Sequence, residues 1–579
     1  MRQLKCINEG VSRMTRERNR WLAALLLAAL LMSLSFACCR MVYETNDDSS
    51  IVAAASGAVT GTPYAGNGFT SYLYGALLAA LFGSVPALPW HAIIPVGLIF
   101  LSLSALIKSY LTLCAERNIP YSVTLTLFAA LYVGVLLPYV VMLQFTTVPA
   151  LAASAGSCLI LTSWKNARTQ KTSIVIGICL TFFALLLRIQ SAWVAIPLLM
   201  MFGISYEFER RRYGKGIGWF CIAIAVGCLL ITLLDSSLYQ WSDPAWEAFD
   251  EFNALHGGLL DYNNTDLATR ASHEVAGWTP WLTYMVRDWY MLDARMTEEN
   301  LSVLLNAMEN LREPFSVYGI LKATGSLLLR YPIFSISLAG FSIFALYASI
   351  RLIKQRRYWA VLRMVGIYVY LAAFVAYFYG YLGRMPMRAA FTAGCPCYAL
   401  LLLNSLEAFE SDQKAALPRA AKPLSALVLA LCIATPLVNG NSFVPLRWKD
   451  QYHDRIRQSS ELICEYVTRP ENADTLYLTD VTIDLSPAYV YGDRLPSNLL
   501  SWRCGMYHSP LYQTKLKRFG YERFTSENLF DEGVLLLVQD ASALNLLYEY
   551  LETDYAPVEL ETVDTGACFT VYRISWKES

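Results

Sequence analysis

The chain has 579 residues, of which 55% are hydrophobic and only 16% charged, a balance that excludes a string of ordinary soluble domains. Its 46 Lys and Arg match its 46 Asp and Glu, so the net charge gives no bulk attraction to nucleic acid. The distribution of those charges along the chain carries more information than their sum.

Apolar runs recur from Trp21 to Gly440 with short polar segments between them. A helix needs about 20 apolar residues to cross a hydrocarbon core of roughly 30 Å. Eleven spans are predicted, near 21–39, 91–107, 120–141, 147–163, 173–187, 190–205, 216–234, 331–350, 364–382, 388–408 and 423–440. With the N-terminus inside, the inner segments are 1–20, 108–118, 164–172, 206–215, 351–363 and 409–422. These short stretches hold 23 of the 46 Lys and Arg and far fewer acids. Each is basic, as the positive-inside rule requires, so the orientation is N-terminus inside and C-terminus outside. The basic stretch before Trp21 resembles a signal peptide, but the many spans that follow make the first an uncleaved anchor. The fold class is therefore an α-helical polytopic membrane protein, in the cytoplasmic (plasma) membrane and in contact with its lipids.

Three segments face outward. A first loop, 40–90, follows span one, and a second, 235–330, separates spans seven and eight. The second is rich in Trp and Tyr, which settle at membrane interfaces. The third, 441–579, is expected to fold by itself as a small extracytoplasmic α/β domain beside the transmembrane domain 1–440. Within it Thr475–Thr479, Val534–Val538 and Cys568–Tyr572 read as strands and Ser542–Leu551 as a helix. Of fourteen cysteines only Cys464, Cys504 and Cys568 fall there, an odd number that makes no disulfide framework. The histidines His91, His256, His273, His453 and His508 form no pair at metal-ligand spacing.

The first outer loop holds the sharpest chemistry. Directly after span one come Tyr43-Glu44-Thr45-Asn46-Asp47-Asp48, then Ser56-Gly57 and Thr60-Gly61-Thr62-Pro63. Two adjacent carboxylates at a membrane surface repel each other, raise at least one pKa, and suit general-base work or cation binding. The same residues also suit a solvated acidic turn that caps a helix beginning near Ser49. Arg188 lies between two spans, Arg384 just before another and Arg388 at its start, all on the outer side. Interfacial arginines are costly unless paired or functional, and their forked donors match phosphate oxygens, although snorkelling or pairing with outer acids such as Glu44 accounts for them too.

An acidic pair just beyond the first transmembrane helix, in a long outer loop, resembles the GT-C class of glycosyltransferases. Asn46-Asp47-Asp48, Ser56-Gly57 and Thr60-Gly61-Thr62-Pro63 carry the likeness, in particular to uncharacterised bacterial membrane proteins of this type. Leu382-Gly383-Arg384-Met385-Pro386-Met387-Arg388 and Ser509-Pro510-Leu511-Tyr512 extend it. The resemblance implies an inverting transferase that takes a sugar from a polyprenyl-phosphate carrier and passes it to a glycan or lipid acceptor of the cell envelope. Asp47 or Asp48 would be the general base, Asp47 slightly favoured, and Arg188, Arg384 and Arg388 would hold the phosphate. Glu44, Tyr64, Trp278 and Trp281 would contact substrate. Asp48 with Glu44 could hold a divalent cation such as Mg or Mn, and no other cofactor is implied. A transporter, flippase or polymerase for a lipid-linked glycan, and a non-catalytic assembly protein, remain the competing readings.

The charge layout generates a topological prediction. Alkaline phosphatase fused after Ser579 should be active and a cytosol-dependent reporter at the same place silent. The opposite pattern would invert the orientation of the whole chain.

Overall fold

The computed structural model describes residues 2–44, 47–261, 265–311, 316–330, 332–382, 385–410, 420–438, 444–448, 451–480 and 496–577. Among these, nine helices are long and apolar enough to cross a membrane: Arg16–Cys38, Trp90–Arg117, Tyr121–Val141, Thr147–Asn166, Ile189–Phe208, Ile217–Ser242, Ser335–Lys354, Tyr358–Tyr379 and Met387–Phe409. The other two predicted spans fall on shorter apolar helices, Lys171–Leu187 and Ala421–Val438. The predicted boundary at 440 lies outside the described residues.

The helices surrounding the acidic loop are α1 (Arg2–Cys38), α2 (Asp47–Ser56), α3 (Tyr72–Ser84), α4 (Trp90–Arg117), α5 (Tyr121–Leu131), α6 (Leu137–Val141), α7 (Thr147–Ser163) and α8 (Lys171–Leu187). Small residues let α7 and α8 approach closely: a Cβ on Gly156 would come within 2.5 Å of the Gly177 carbonyl. Such small-residue seams replace the hydrophobic drive that lipid cannot supply. Between α5 and α6 one π-helical turn, Tyr132–Leu136, shifts the face that the span presents. Two short parallel strands, β1 (Val42–Tyr43) and β2 (Met142–Leu143), then tie the chain after α1 to the chain after α6.

At the far end of the bundle from this mini-sheet, buried charges are paired. Glu407 accepts from Tyr206, Tyr213, Arg357 and Arg363, and Arg363 also meets Glu209 at 2.7 Å. These contacts fasten together the basic segments 206–215 and 351–363.

The C-terminal region carries a five-stranded sheet of order β4-β3-β5-β7-β6. Its strands are β3 (Leu476–Thr479), β4 (Leu499–Ser501), β5 (Val534–Val538), β6 (Val558–Thr565) and β7 (Thr570–Trp576). β3 runs parallel to β4 and β5, while β7 is antiparallel to β5 and β6. Successive side chains point to opposite faces, and β3 and β5 are buried on both, hence their unbroken apolar runs. Tyr477, Leu535 and Leu537 face the helix Gln451–Val467 through Ile463 and Val467. Leu476, Leu478, Val534, Leu536 and Val538 face the other way.

What covers that second face comes from the loop between the spans. Leu282, Met285, Tyr290, Leu292, Leu301 and Leu304 share one core with Leu476, Leu500, Trp502, Leu536 and Tyr550. Ser526 donates its backbone N–H to Leu292 O at 2.9 Å, and Arg295 bridges Asp293 at 2.7 Å and Asp554 at 2.5 Å. The sheet and helix expected within 441–579 are present, but their core is completed by residues 252–308.

Residues 441–579 expressed alone are therefore expected to show no cooperative thermal transition by circular dichroism. A fusion of residues 245–311 to 444–577 through a flexible linker should melt cooperatively. Cooperative melting of the C-terminal segment alone would mean that the sheet's second face needs no cover.

Candidate functional site

The acidic loop lies where β1 ends. Glu44 donates its backbone N–H to Leu143 O at 3.0 Å, which fixes its position beside the chain leaving β2. Asn46 lies outside the described residues, and α2 begins at Asp47, two residues earlier than a cap before Ser49 requires. Both aspartates therefore stand in the first turn of a helix, where the free N–H groups and the dipole favour negative charge. One residue advances a helix by about 100°, so neighbouring side chains face different surroundings.

Asp48 points inward and is 1% exposed. Its Oδ1 meets Nε2 of His91, the second residue of α4, at 3.0 Å. Nδ1 of the same ring meets the Tyr74 hydroxyl of α3 at 3.2 Å, and the Tyr43 ring stacks on the imidazole at 5.7 Å. With the carboxylate accepting from Nε2–H, the neutral ring leaves Nδ1 to accept from Tyr74. One imidazole thus joins α2, α3 and α4.

Asp47 points the other way, and 27% of its side chain is exposed. Arg388, the second residue of the helix Met387–Leu406, brings Nη1 to 3.8 Å from Asp47 Oδ2, and its own side chain is 35% exposed. An ion pair this open and this long contributes little to stability. Burial pushes the Asp47 carboxyl above its ordinary value; the Arg388 charge opposes that shift and Asp48 adds to it. Burial likewise pushes Glu44 up to about 6, against the pull of Arg388.

Arg188 supplies the second cation. The backbone is extended there, between α8 and the short helix Ile189–Trp193, which turns the side chain out of the helical path. Its Nη1 donates to Phe69 O at 3.0 Å, and the guanidinium lies over the Phe145 ring at 4.5 Å. Burial lowers Arg188 to about 10, and Asp47 resists that shift more than any other charge. The guanidinium therefore stays charged at neutral pH.

The C-terminal region reaches the same place. Burial pushes the Cys504 thiol up, and the Asp47 charge adds to it. The loop after α2 is the seat of this contact. Gly57 holds φ +82°, and a Cβ there would meet the Thr62 carbonyl carbon at 2.6 Å, so only glycine permits the reversal. Ala54 and Val59 pack on Leu511, and Arg518 donates to Val59 O at 3.3 Å. Ser509 caps the helix Pro510–Arg518, accepting from Tyr512 N at 3.3 Å. Two motifs some 450 residues apart in the chain are thus one interface.

Of the residues predicted for the site, Glu44, Asp47, Asp48, Arg188 and Arg388 are brought together, and Arg384 lies outside the described residues. Tyr64 stands at the interface behind α2, where its hydroxyl accepts from Trp246 Nε1 at 3.2 Å. Trp278 is buried in the outer core with its N–H donated to Thr283 at 2.8 Å, and Trp281 packs against that core beside Tyr284. Among the described residues no group of three or more His, Cys, Asp or Glu side chains converges to hold a metal ion. Asp48 commits Oδ1 to His91, which leaves Glu44 and Asp48 a thin pair of ligands for a divalent cation. His91 escaped the sequence because histidines were sought in pairs; its partners are a carboxylate and a tyrosine.

No family model matches the chain, and no curated protein matches it. Two solved structures are similar to it: ArnT from Cupriavidus metallidurans bound to undecaprenyl phosphate and the same protein in the apo state. Each covers 95% of this chain and 97% of its own at 12% identity, with TM-scores of 0.37 and 0.39. No residue correspondence follows from a likeness at this level.

The buried pair yields a prediction. His91→Ala leaves the Asp48 carboxylate without this donor, which costs about 1–3 kcal/mol for a buried polar group. His91→Gln, whose amide can donate, should recover part of the loss in thermal denaturation of the purified protein. Wild-type stability in the alanine variant would show that Asp48 is held by other contacts.

Proposed function

We propose that this chain is a membrane glycosyltransferase that moves a sugar from a polyprenyl-phosphate carrier to a hydroxyl acceptor of the cell envelope, with Asp47 as the general base. The observation that supports it most is the division of labour between the two aspartates. Asp48 is buried against His91, while Asp47 is partly open, desolvated and faced by Arg388 and Arg188. A carboxylate raised above its ordinary pKa is a better proton acceptor, and guanidinium forks beside it suit a leaving phosphate.

The step follows from that layout. Asp47 takes the proton from the acceptor hydroxyl, whose oxygen forms a bond to the anomeric carbon. The bond from that carbon to the phosphate oxygen breaks, and the electron pair leaves with the carrier phosphate, whose charge Arg388 and Arg188 balance. A single displacement from the face opposite the leaving group inverts the configuration. The basic loops at the far end of the bundle support an extracytoplasmic site.

Asp47→Asn keeps the size of the side chain but cannot accept the proton. Transfer from a defined polyprenyl-phosphate sugar should fall by about 10²–10⁴-fold with little change in donor binding or thermal stability. In the wild type, kcat/KM should fall on the acid side with a midpoint above the ordinary carboxylate range, because the base must be unprotonated and its pKa is raised. Arg388→Lys should weaken donor use by about tenfold or more, since lysine cannot present a planar fork. Full transfer by Asp47→Asn would remove the catalytic role and favour a transporter or an assembly protein.

A further inference from the structure

The mini-sheet of β1 and β2 places two residues side by side that the transfer step does not use. Glu44 follows β1 and Gln144 follows β2, each as the first residue beyond the paired strands. Both line one narrow cleft with Pro138, Met142, Thr147, Arg388 and the aromatic rings of Tyr139 and Phe391. Gln144 is 2% exposed.

The orientation of the Gln144 amide is fixed by what it already does. Its Oε1 accepts the backbone N–H of Thr146 at 2.7 Å and of Thr147 at 2.9 Å, closing the start of α7. A flipped amide would set its NH2 against two N–H donors, so the carbonyl must face them. Nε2 is then held away from the helix, buried, with no partner among the described residues. Glu44 Oε2 is buried without a partner as well. Buried donors and acceptors are nearly always paired, so a donor and an acceptor both left open in one cleft mark the place of a ligand atom.

We infer that Glu44 and Gln144 together bind a hydroxyl group of the sugar carried by the donor, the carboxylate accepting its proton and the amide donating to its oxygen. This rests on the proposed function for the identity of the ligand. A hydroxyl both donates and accepts, which is what the pair offers. A phosphate oxygen only accepts, and it would meet the open Glu44 oxygen with like charge. Arg388 lines the same cleft, which keeps the hydroxyl next to the cation that meets the phosphate. Gln144 is in this reading a specificity-determining residue: sugars that place a hydroxyl at the pair are favoured over those that do not, because an unmet buried polar pair is costly.

The test uses the full-length purified protein and measures affinity for undecaprenyl phosphate, bare or linked to glucose, galactose, mannose or N-acetylglucosamine. At least one glycosylated carrier should bind more tightly than the bare one. Gln144→Glu keeps an oxygen for both Thr146 and Thr147 N–H groups but removes the donor. It should erase that preference, a loss of about tenfold or more for the favoured sugar measured relative to bare carrier. The Glu44→Gln, Gln144→Glu double variant exchanges donor and acceptor, and a hydroxyl can turn to suit, so part of the preference should return. The inference is overturned by any of three results: no linked sugar improving on the bare carrier, Gln144→Glu keeping the preference, or Gln144→Glu weakening bare and linked carriers alike. The last would assign the amide to the phosphate. These outcomes are independent of turnover: an Asp47→Asn variant with full transfer would sink the proposed base yet leave a Gln144-dependent sugar preference standing.

Discussion

Three carboxylates within five residues, at the end of a membrane helix, can remain charged only if the rest of the fold brings something to each. Burial pushes Glu44 and Asp47 toward protonation, and the Asp48 charge adds to the shift at both. The compensation is unequal. Asp48 receives His91 and becomes part of the scaffold. Among the described residues Asp47 receives the loose approach of Arg388 and the more distant field of Arg188. Glu44 receives the Arg388 field, and among the described residues its Oε2 has no partner. That gradient from fully held to barely held turns a row of similar residues into a site with separate roles.

The elements that supply those partners come from far along the chain, which explains the size of the outer unit. The helix bearing Arg388, the break bearing Arg188 and the His91 end of α4 must converge on one loop. The loop is steadied from behind by Leu511 and Arg518, and those residues belong to a region whose sheet is covered by the segment after the Ile217–Ser242 helix. The outer loops and the C-terminal region are thus one packed body joined to the bundle at the loop that carries the acids.

Much of this was legible in the sequence because membrane folds write themselves in long signals. A span is about twenty apolar residues, so the apolar helices of the bundle and the strands at 476–479 and 534–538 could be read directly. The acids and two of the arginines were found because charges at a membrane surface are conspicuous. Side-chain direction was not legible. Nothing in Asp47-Asp48 says which carboxylate turns inward, since that depends on where α2 starts and on an imidazole 43 residues away. Gln144 was hidden for a different reason: an uncharged residue in a short connection gives no signal until its carbonyl is seen to be spent on Thr146 and Thr147. Trp278 and Trp281 show the converse limit, since an aromatic-rich outer segment reads the same whether its rings meet a sugar or a sheet.

The two ends of the bundle use the same pairing of arginine with carboxylate, and comparing them shows what separates a joint from a site. At the far end Glu407 is 1% exposed, both of its oxygens accept hydrogen bonds, and two guanidiniums and two tyrosines share it. The protein's own donors meet both Glu407 oxygens there, and breaking the cluster would leave a buried charge unmet. Around the acidic loop the arrangement stops short: Arg388 stands 3.8 Å from Asp47, and among the described residues Glu44 Oε2 and Gln144 Nε2, both from residues lining one cleft, have no partner. Leaving buried polar groups unmet costs stability, and a fold gains nothing by it unless something else completes them. What sets the two ends apart is that the open atoms at this one belong to residues lining a cleft beside a loosely held arginine.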